Sequence, residues 1–305
     1  METAEIAFYL VSIIISSSGI SCNILMAAAS YRIWVTDGFS NPRDLIIFYI
    51  GLCSALFQSF YISLYVSYLV WADMLSTYNV CTIIINVVFA IFICTVSLTS
   101  WLCSFYCIKL VSFQHRIILF LKTGLPTMIP WIIGGTLGMC GLLLVLLLGV
   151  IFMSVPLDNT YNSTSYCTRV SDEYNSNVLD IVYRAYFLII FPFLLILISL
   201  GCTLAPLIIH IRRVQRSPSL DNSHLKAHIT AAKTMILLLV LNVAFFTSQV
   251  LWNEVWLSMS SPLYWIYGMF YVSFWKLQAL TLIFRNKKLR VTCQSFLLNC
   301  FKKKM

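Results

Sequence analysis

Charge is what this sequence has least of: Asp, Glu, Lys and Arg make up 10% of its 305 residues, against about 25% in an ordinary soluble domain. So few charges cannot cover a water-facing surface. With 60% apolar residues and a mean hydropathy of +0.88, most of the chain has lipid for a solvent. Histidine is also scarce. His115, His210, His224 and His228 all lie at the edges of apolar runs, in no pattern that would hold a metal or complete a catalytic triad, so neither a metal, a cofactor nor an enzymatic activity is expected. No CxxC is matched by a second one, and most of the 11 cysteines sit inside apolar runs as small hydrophobic side chains.

What the sequence does have is seven apolar stretches, over 6–29, 45–69, 81–110, 128–155, 178–211, 229–252 and 263–284, each about the length a helix needs to cross a bilayer core. The expected fold is an all-α bundle of seven membrane helices over residues 1–286. A short amphipathic basic segment follows over 287–305, with Phe296, Leu297, Leu298 and Phe301 beside lysines and with Cys300 as a candidate for palmitoylation. The first run follows Glu2 and Glu5 rather than basic residues and continues through Asn23, which reads as a membrane helix and not a signal peptide.

Basic residues predict the orientation. Of the 20 Lys and Arg, 17 fall on one side, among them Arg32, Arg43, Lys109, Arg116, Lys122 and Arg285, and cytoplasmic segments retain such residues. The N-terminus is therefore expected outside and the C-terminus inside, and the net charge of +9 reflects that bias and contact with anionic lipid rather than nucleic-acid binding. One glycosylation sequon, Asn162 with Thr164, lies between the fourth and fifth runs on the expected outside. Cys81 and Cys167 share that oxidising side, where they either form a disulfide or remain two free thiols.

Short loops and the lack of a repeat relating two halves weigh against a secondary transporter, and nearly charge-free runs weigh against a channel. A receptor is the class that remains. From Phe105 the chain reads FYCIKLVSFQHRIILFLK, which closely resembles the FYxLKIAxFSHxxFLWLK signature of bitter taste receptors. Pro130-Trp131-Ile132-Ile133-Gly134-Gly135 is similar to the family's PWLLLGS. Pro192-Phe193, with Ile196-Leu197-Ile198-Ser199-Leu200 after it, resembles the elements of helix five, Lys226-Ala227-His228-Ile229 the entry to helix six, and Asn286-Lys287-Lys288-Leu289-Arg290 the NxKLR after helix seven. Departures from the pattern fall at Ala55, where the family carries an arginine, at Gln278-Ala279 in place of His-Ser, and at Phe92-Ile93. A vomeronasal type 1 receptor is the nearest alternative, and a small-solute transporter the more distant one.

The resemblance implies a G-protein-coupled receptor at the plasma membrane, with small amphipathic agonists outside and a heterotrimeric G protein of the gustducin or inhibitory type inside. Candidate ligand residues are Asn86, Phe89, Phe92 and Ile93 in the third run; Asp180, Tyr183 and Arg184 in the fifth; Gln249 and Trp252 in the sixth; and Gly268 and Tyr271 in the seventh. Tyr106, Lys109, Arg212, Arg213, His228 and Lys233 converge on the expected coupling face. Asn23, Lys276 and Gln278 are candidate core switch residues, because polar groups at membrane depth are costly unless they do something there. Lys276 is a candidate substitute for the arginine missing at Ala55. Tyr65, Tyr68, Trp71, Trp252, Trp256, Tyr264, Trp265 and Tyr267 read mostly as an interfacial belt, with a subset of about a third expected to line a ligand cavity. Gly134 and Gly138 give a GxxxG spacing expected mainly to pack within the bundle, with dimerisation as the minor reading, and Pro192 is expected to kink its helix.

Overall fold

A computed structural model describes residues 3–38, 41–70, 78–110, 116–154, 190–199, 201–202, 233–248 and 262–302, and among these there is no strand. The helices are α1 (Thr3–Thr36), α2 (Pro42–Val70), α3 (Tyr78–Leu110), α4 (Arg116–Ser154), α5 (Ile190–Ser199), α6 (Lys233–Ser248), α7 (Pro262–Arg285) and α8 (Lys287–Lys302). Four of them, α1 to α4, are long and apolar enough to cross a membrane. At 24 residues, α7 is about 36 Å long, but Lys276, Gln278 and its tyrosines and tryptophans make it less apolar.

The turns are built from the residues whose chemistry suits them. Gly38, at φ 63°, takes the left-handed conformation that ends α1, with its N–H donating to the Val35 carbonyl at 3.1 Å. Pro42 then opens α2 at the first helical position, where its missing N–H costs nothing, and Asp44 places negative charge in the first turn. Asn286 separates α7 from α8 and accepts the Leu289 N–H on its side-chain oxygen at 3.4 Å. This is the N-cap geometry, and it gives the Asn-Lys-Lys-Leu-Arg motif a structural reason: Asn286 caps α8 while Leu289, fully buried, anchors it.

Most of α3 is inside. In its membrane-length window 72% of residues are buried, against 22% in α4, so α3 is central and α4 peripheral. Around it α1 packs on α2, α7 and α8, α2 on α3 and α7, and α3 on α4. Trp131 (83% exposed), Leu142 and Val145 on α4 and Ile14 on α1 point outward, an apolar exterior suited to acyl chains.

The α1–α2 crossing is close. A Cβ on Gly51 would stand 2.9 Å from the Asn23 carbonyl oxygen and 3.1 Å from the Ala27 Cβ, and one on Gly19 would strike the Gln58 side chain. On α4 the expectation is corrected. Gly134 and Gly138 are exposed, and a Cβ on either meets nothing within 4 Å, so their spacing does not serve packing within the bundle. Of the aromatics at the helix ends, Tyr65 is buried and Trp265 packs edge-on against Phe8 at 4.9 Å. Two helices extend beyond their apolar runs: α1 continues past Arg32 to Thr36, and α4 begins at Arg116.

Gly51→Val is expected to destabilise the protein by about 1–3 kcal/mol through overpacking against rigid backbone, whereas Gly134→Val leaves stability unchanged. Thermal unfolding of the purified protein checks this, the contrast between the two variants being the observable.

Candidate functional site: a polar layer, an aromatic chain and the α8 end

Buried polar side chains collect where α1, α2, α3 and α7 meet. The Asn23 amide on α1 donates to the Gly19 carbonyl at 2.9 Å, to Gln58 Oε1 on α2 at 3.3 Å and to the Trp275 carbonyl on α7 at 3.4 Å. Gln278 Nε2 donates to Thr99 Oγ1 on α3 at 2.8 Å, and Lys276 Nζ donates to Ser18 Oγ on α1 at 2.9 Å. Two further bonds tie α3 outward, from Trp101 Nε1 to Thr136 Oγ1 at 3.2 Å and between the Ser104 and Ser199 hydroxyls at 3.1 Å. Asn23 Oδ1, Gln58 Nε2, Gln278 Oε1 and Trp275 Nε1 are buried without a protein partner. The layer thus holds more hydrogen-bonding capacity than its present arrangement uses, a property that buried groups poised to exchange partners share.

An aromatic chain adjoins this layer. The Trp275 ring lies 4.3 Å from Phe57 and 5.7 Å from Phe245, and Phe245 stacks on Tyr271 at 5.1 Å and approaches Phe274 at 4.2 Å and Phe92 at 5.3 Å. From Phe57 the contacts continue through Tyr61 and Tyr65 to Phe8 and Trp265, toward the end of the bundle away from α8. Such pairs add about 0.5–1.5 kcal/mol each beyond area burial, and together they link α1, α2, α3, α6 and α7.

At the α8 end, Arg43 Nε and Nη2 donate to Asp44 Oδ1 at 3.1 and 3.0 Å, and Asp44 is wholly buried. The Tyr106 hydroxyl on α3 lies within reach of the same guanidinium. Lys288 on α8 pairs with Asp37, the Arg32 guanidinium sits 5.3 Å above the Phe296 ring, and the Cys293 thiol points at the Leu25 carbonyl. Burial pushes the Cys293 thiol up to about 11, so it stays protonated at neutral pH and is not a nucleophile. Leu289, Cys293 and Phe296 face the bundle, while Val291, Leu297 and Leu298 are exposed on α8.

Several expected residues fall into these layers. Asn23 and Gln278 are buried and bonded across helices, and Lys276, half-buried, bonds to α1; its partner there is Ser18 rather than a group beside Ala55 on α2. Phe92 and Tyr271 join the aromatic chain. Ile93 is fully buried in the apolar core, Asn86 and Gly268 are buried, and Phe89 is half-buried beside Phe92. Tyr106 is half-buried and Lys233 exposed at the start of α6. Asp180, Tyr183, Arg184, Gln249, Trp252, Arg212, Arg213, His228, Cys167 and Asn162 lie outside the described residues, as do the side chains of Cys81, Lys109 and Cys300. Sequence reading missed Gln58, Thr99, Ser18, Phe57, Phe245, Trp275, Arg43 and Asp44. Gln58 gave the same signal as Asn23, an amide in an apolar run. The others became visible only through their partners.

The described residues build a multi-helix membrane core joined by cross-helix hydrogen bonds, in keeping with the seven-helix class of G-protein-coupled receptors to which the family match assigns the chain. Residues 1–301 match the model of the taste receptor protein family (TAS2R), and the chain belongs to that family of bitter taste receptors. Over 98% of its length it is 25% identical to taste receptor type 2 member 41 of Mus musculus and 23% identical to member 41 of Pan paniscus, covering 97% of each. It is 26% identical to member 16 of Gorilla gorilla gorilla over 78% of its length and 79% of that receptor. Such receptors are multi-pass proteins of the plasma membrane.

Thr99→Val strands the buried Gln278 Nε2 and is expected to cost about 1–3 kcal/mol, whereas Gln278→Leu leaves the Thr99 hydroxyl its bond to the Thr95 carbonyl and is expected to cost about 0.5–1.5 kcal/mol. The double variant, which removes both partners, is expected to cost less than the sum. A double-mutant cycle on thermal unfolding measures that coupling.

Proposed function

We propose that this chain is a bitter receptor that binds small amphipathic organic agonists in the half of the bundle away from α8 and activates a heterotrimeric G protein, of the gustducin or inhibitory type, at the α8 end. The observation that carries the reading is the role of Trp275. Its ring belongs to the aromatic chain reaching toward Phe8 and Trp265, and its backbone carbonyl accepts from Asn23 in the polar layer. A ligand that displaced these rings would act directly on the hydrogen bonds joining α7 to α1.

Asn86, Phe89, Phe92, Gly268 and Tyr271 stand on the ligand side of that arrangement, with Asp180, Tyr183, Arg184, Gln249 and Trp252 assigned to the same pocket from sequence. The coupling face takes Tyr106, Lys109, Arg212, Arg213, His228 and Lys233. An agonist acts by population shift, and moves the equilibrium only by the difference between its affinities for the active and inactive states. The N-terminus is outside and α8 lies on the cytoplasmic leaflet, supported by Arg32, Arg43, Arg285, Lys287, Lys288 and Arg290 clustering at that end. In this orientation Asn162 is glycosylated and Cys81 and Cys167 form a disulfide outside. The family match and the relatives named as taste receptors favour this reading over the vomeronasal and transporter alternatives.

Intracellular calcium in cells expressing the chain with a promiscuous G protein carrying a gustducin tail, challenged with a panel of bitter compounds, tests the function. A dose-dependent response that vanishes without the G protein is expected, and Tyr106→Ala at equal surface level should lower its maximum. Responses confined to pheromone-like steroids would overturn the reading. The orientation has its own test: glycosidase should shift the electrophoretic mobility of the wild type but not of Asn162→Gln.

A further inference from the structure

Among the described residues, one cation stands deep in the membrane interior, and it needs an explanation that the agonist pocket does not supply. Lys276 lies nine residues before Arg285, the end of α7, about 13–14 Å along the helix axis, close to the middle of a hydrocarbon core about 30 Å thick. Its bonded partner is a neutral hydroxyl, Ser18 Oγ at 2.9 Å. The acidic side chains described at the α8 end are already engaged, Asp37 by Lys288 and Asp44 by Arg43. An ammonium has three donors, and the Ser18 bond uses one.

The surroundings show from which side a counter-charge would come. Lys276 and Ser18 are both half-buried, at the seam where α7 packs on α1. One turn from Ser18, Ile14 is 68% exposed, and Leu277, next to Lys276, is 38% exposed, so the seam faces acyl chains and not the aromatic interior. Ser17 and Ser21 on α1 are exposed there as well, their hydroxyls donating to the Ile13 and Ser17 carbonyls at 2.7 and 3.1 Å. Hydroxyls and an amine turned toward lipid at this depth make a polar notch in an otherwise apolar wall.

We propose that this notch binds the carboxylate of a long-chain lipophilic acid that enters sideways from the membrane, with Lys276 as its counter-charge and Ser18 as the hydroxyl beside it. A phospholipid is the wrong occupant, because its phosphate stays charged and at the interface about 15 Å away, whereas a carboxyl group can reach that depth in its neutral, protonated form before it pairs with the amine. A sterol hydroxyl brings no charge to pair. A single-chain acid brings both a carboxylate for the free ammonium donors and an apolar tail for the wall beside Ile14 and Leu277. In hydrocarbon such a charge-assisted pair is stronger than its counterpart in water. Because Trp275, the neighbour of Lys276, receives the Asn23 bond, an occupant here would act on the same α1–α7 junction from the lipid side.

This binding depends on neither the agonist nor the G protein, so its test uses no signalling readout. The full-length receptor in lipid nanodiscs is illuminated with a palmitic acid carrying a mid-chain diazirine and a terminal alkyne, and labelled peptides are mapped by mass spectrometry. Expected are adducts on α1 near Ile14 or on α7 near Leu277, reduced about tenfold in Lys276→Met and retained in Lys276→Arg. The methyl ester of the same probe, tested on wild type, should label these segments far less. Equal labelling by acid and ester, undiminished labelling of a folded Lys276→Met, or adducts confined to other helices would overturn the proposal. Should Lys276→Met fail to fold, the acid–ester comparison on wild type decides alone.

Discussion

The side-chain amide of Asn23 is the point at which three helices of this bundle are held to one another. It reaches the Gln58 side chain on α2 and the Trp275 carbonyl on α7 only because α1 and α2 cross closely, and they cross closely because Gly51 has no Cβ to stand 2.9 Å from the Asn23 carbonyl. In lipid no hydrophobic force draws one helix to another, so close approach and cross-helix hydrogen bonds must supply the specificity. Glycine and amide therefore act as one device. The rest of the polar layer follows, since α7 fixed against α1 presents Gln278 to Thr99 on α3 and Lys276 to Ser18 on α1.

Much of this was legible in the sequence, for reasons that also set the limit. Charge-free runs mark membrane helices because the penalty for charge in hydrocarbon is large, and Asn23, Lys276 and Gln278 stood out as polar groups inside such runs. Helix ends were harder to read. Arg32 broke the first run, yet α1 continues because that guanidinium lies over the Phe296 ring of α8, a contact between residues far apart in the chain. The glycines of α4 were misread because spacing and residue type say which positions share a face, but not whether that face is turned to protein or to lipid. Gln58 carried a readable signal, whereas Thr99, Ser18 and Asp44 acquire meaning only from the partners that folding brings to them.

Rings and amides divide the work of a receptor core between them. The aromatic chain is bulky, apolar and continuous from Trp265 to Phe92, so displacing one ring obliges the rings in contact with it to move. The polar layer behaves otherwise. Its bonds are discrete, and the unused capacity of Gln58 Nε2 and Gln278 Oε1 permits a different set of partners at modest cost. A packed lever set against an exchangeable latch is what two discrete states require, and Trp275 belongs to both.

The departures from the family pattern then make physical sense together. Where bitter receptors carry an arginine on helix two, this chain has Ala55, buried and apolar, and its own deep cation stands on α7 and turns to α1. The charge at membrane depth thus stands at the α1–α7 seam. The interior junction of α7 with α3 is left to Gln278 and Thr99, a neutral bond worth about 1 kcal/mol net where a charged one is worth more. In the proposed receptor, a junction of neutral bonds opens at less cost than a charged one, and an agonist shifts it only by its difference in affinity for the two states. The cation, removed to the seam, exerts its influence from the membrane side, where what it meets depends on the lipid rather than on the agonist.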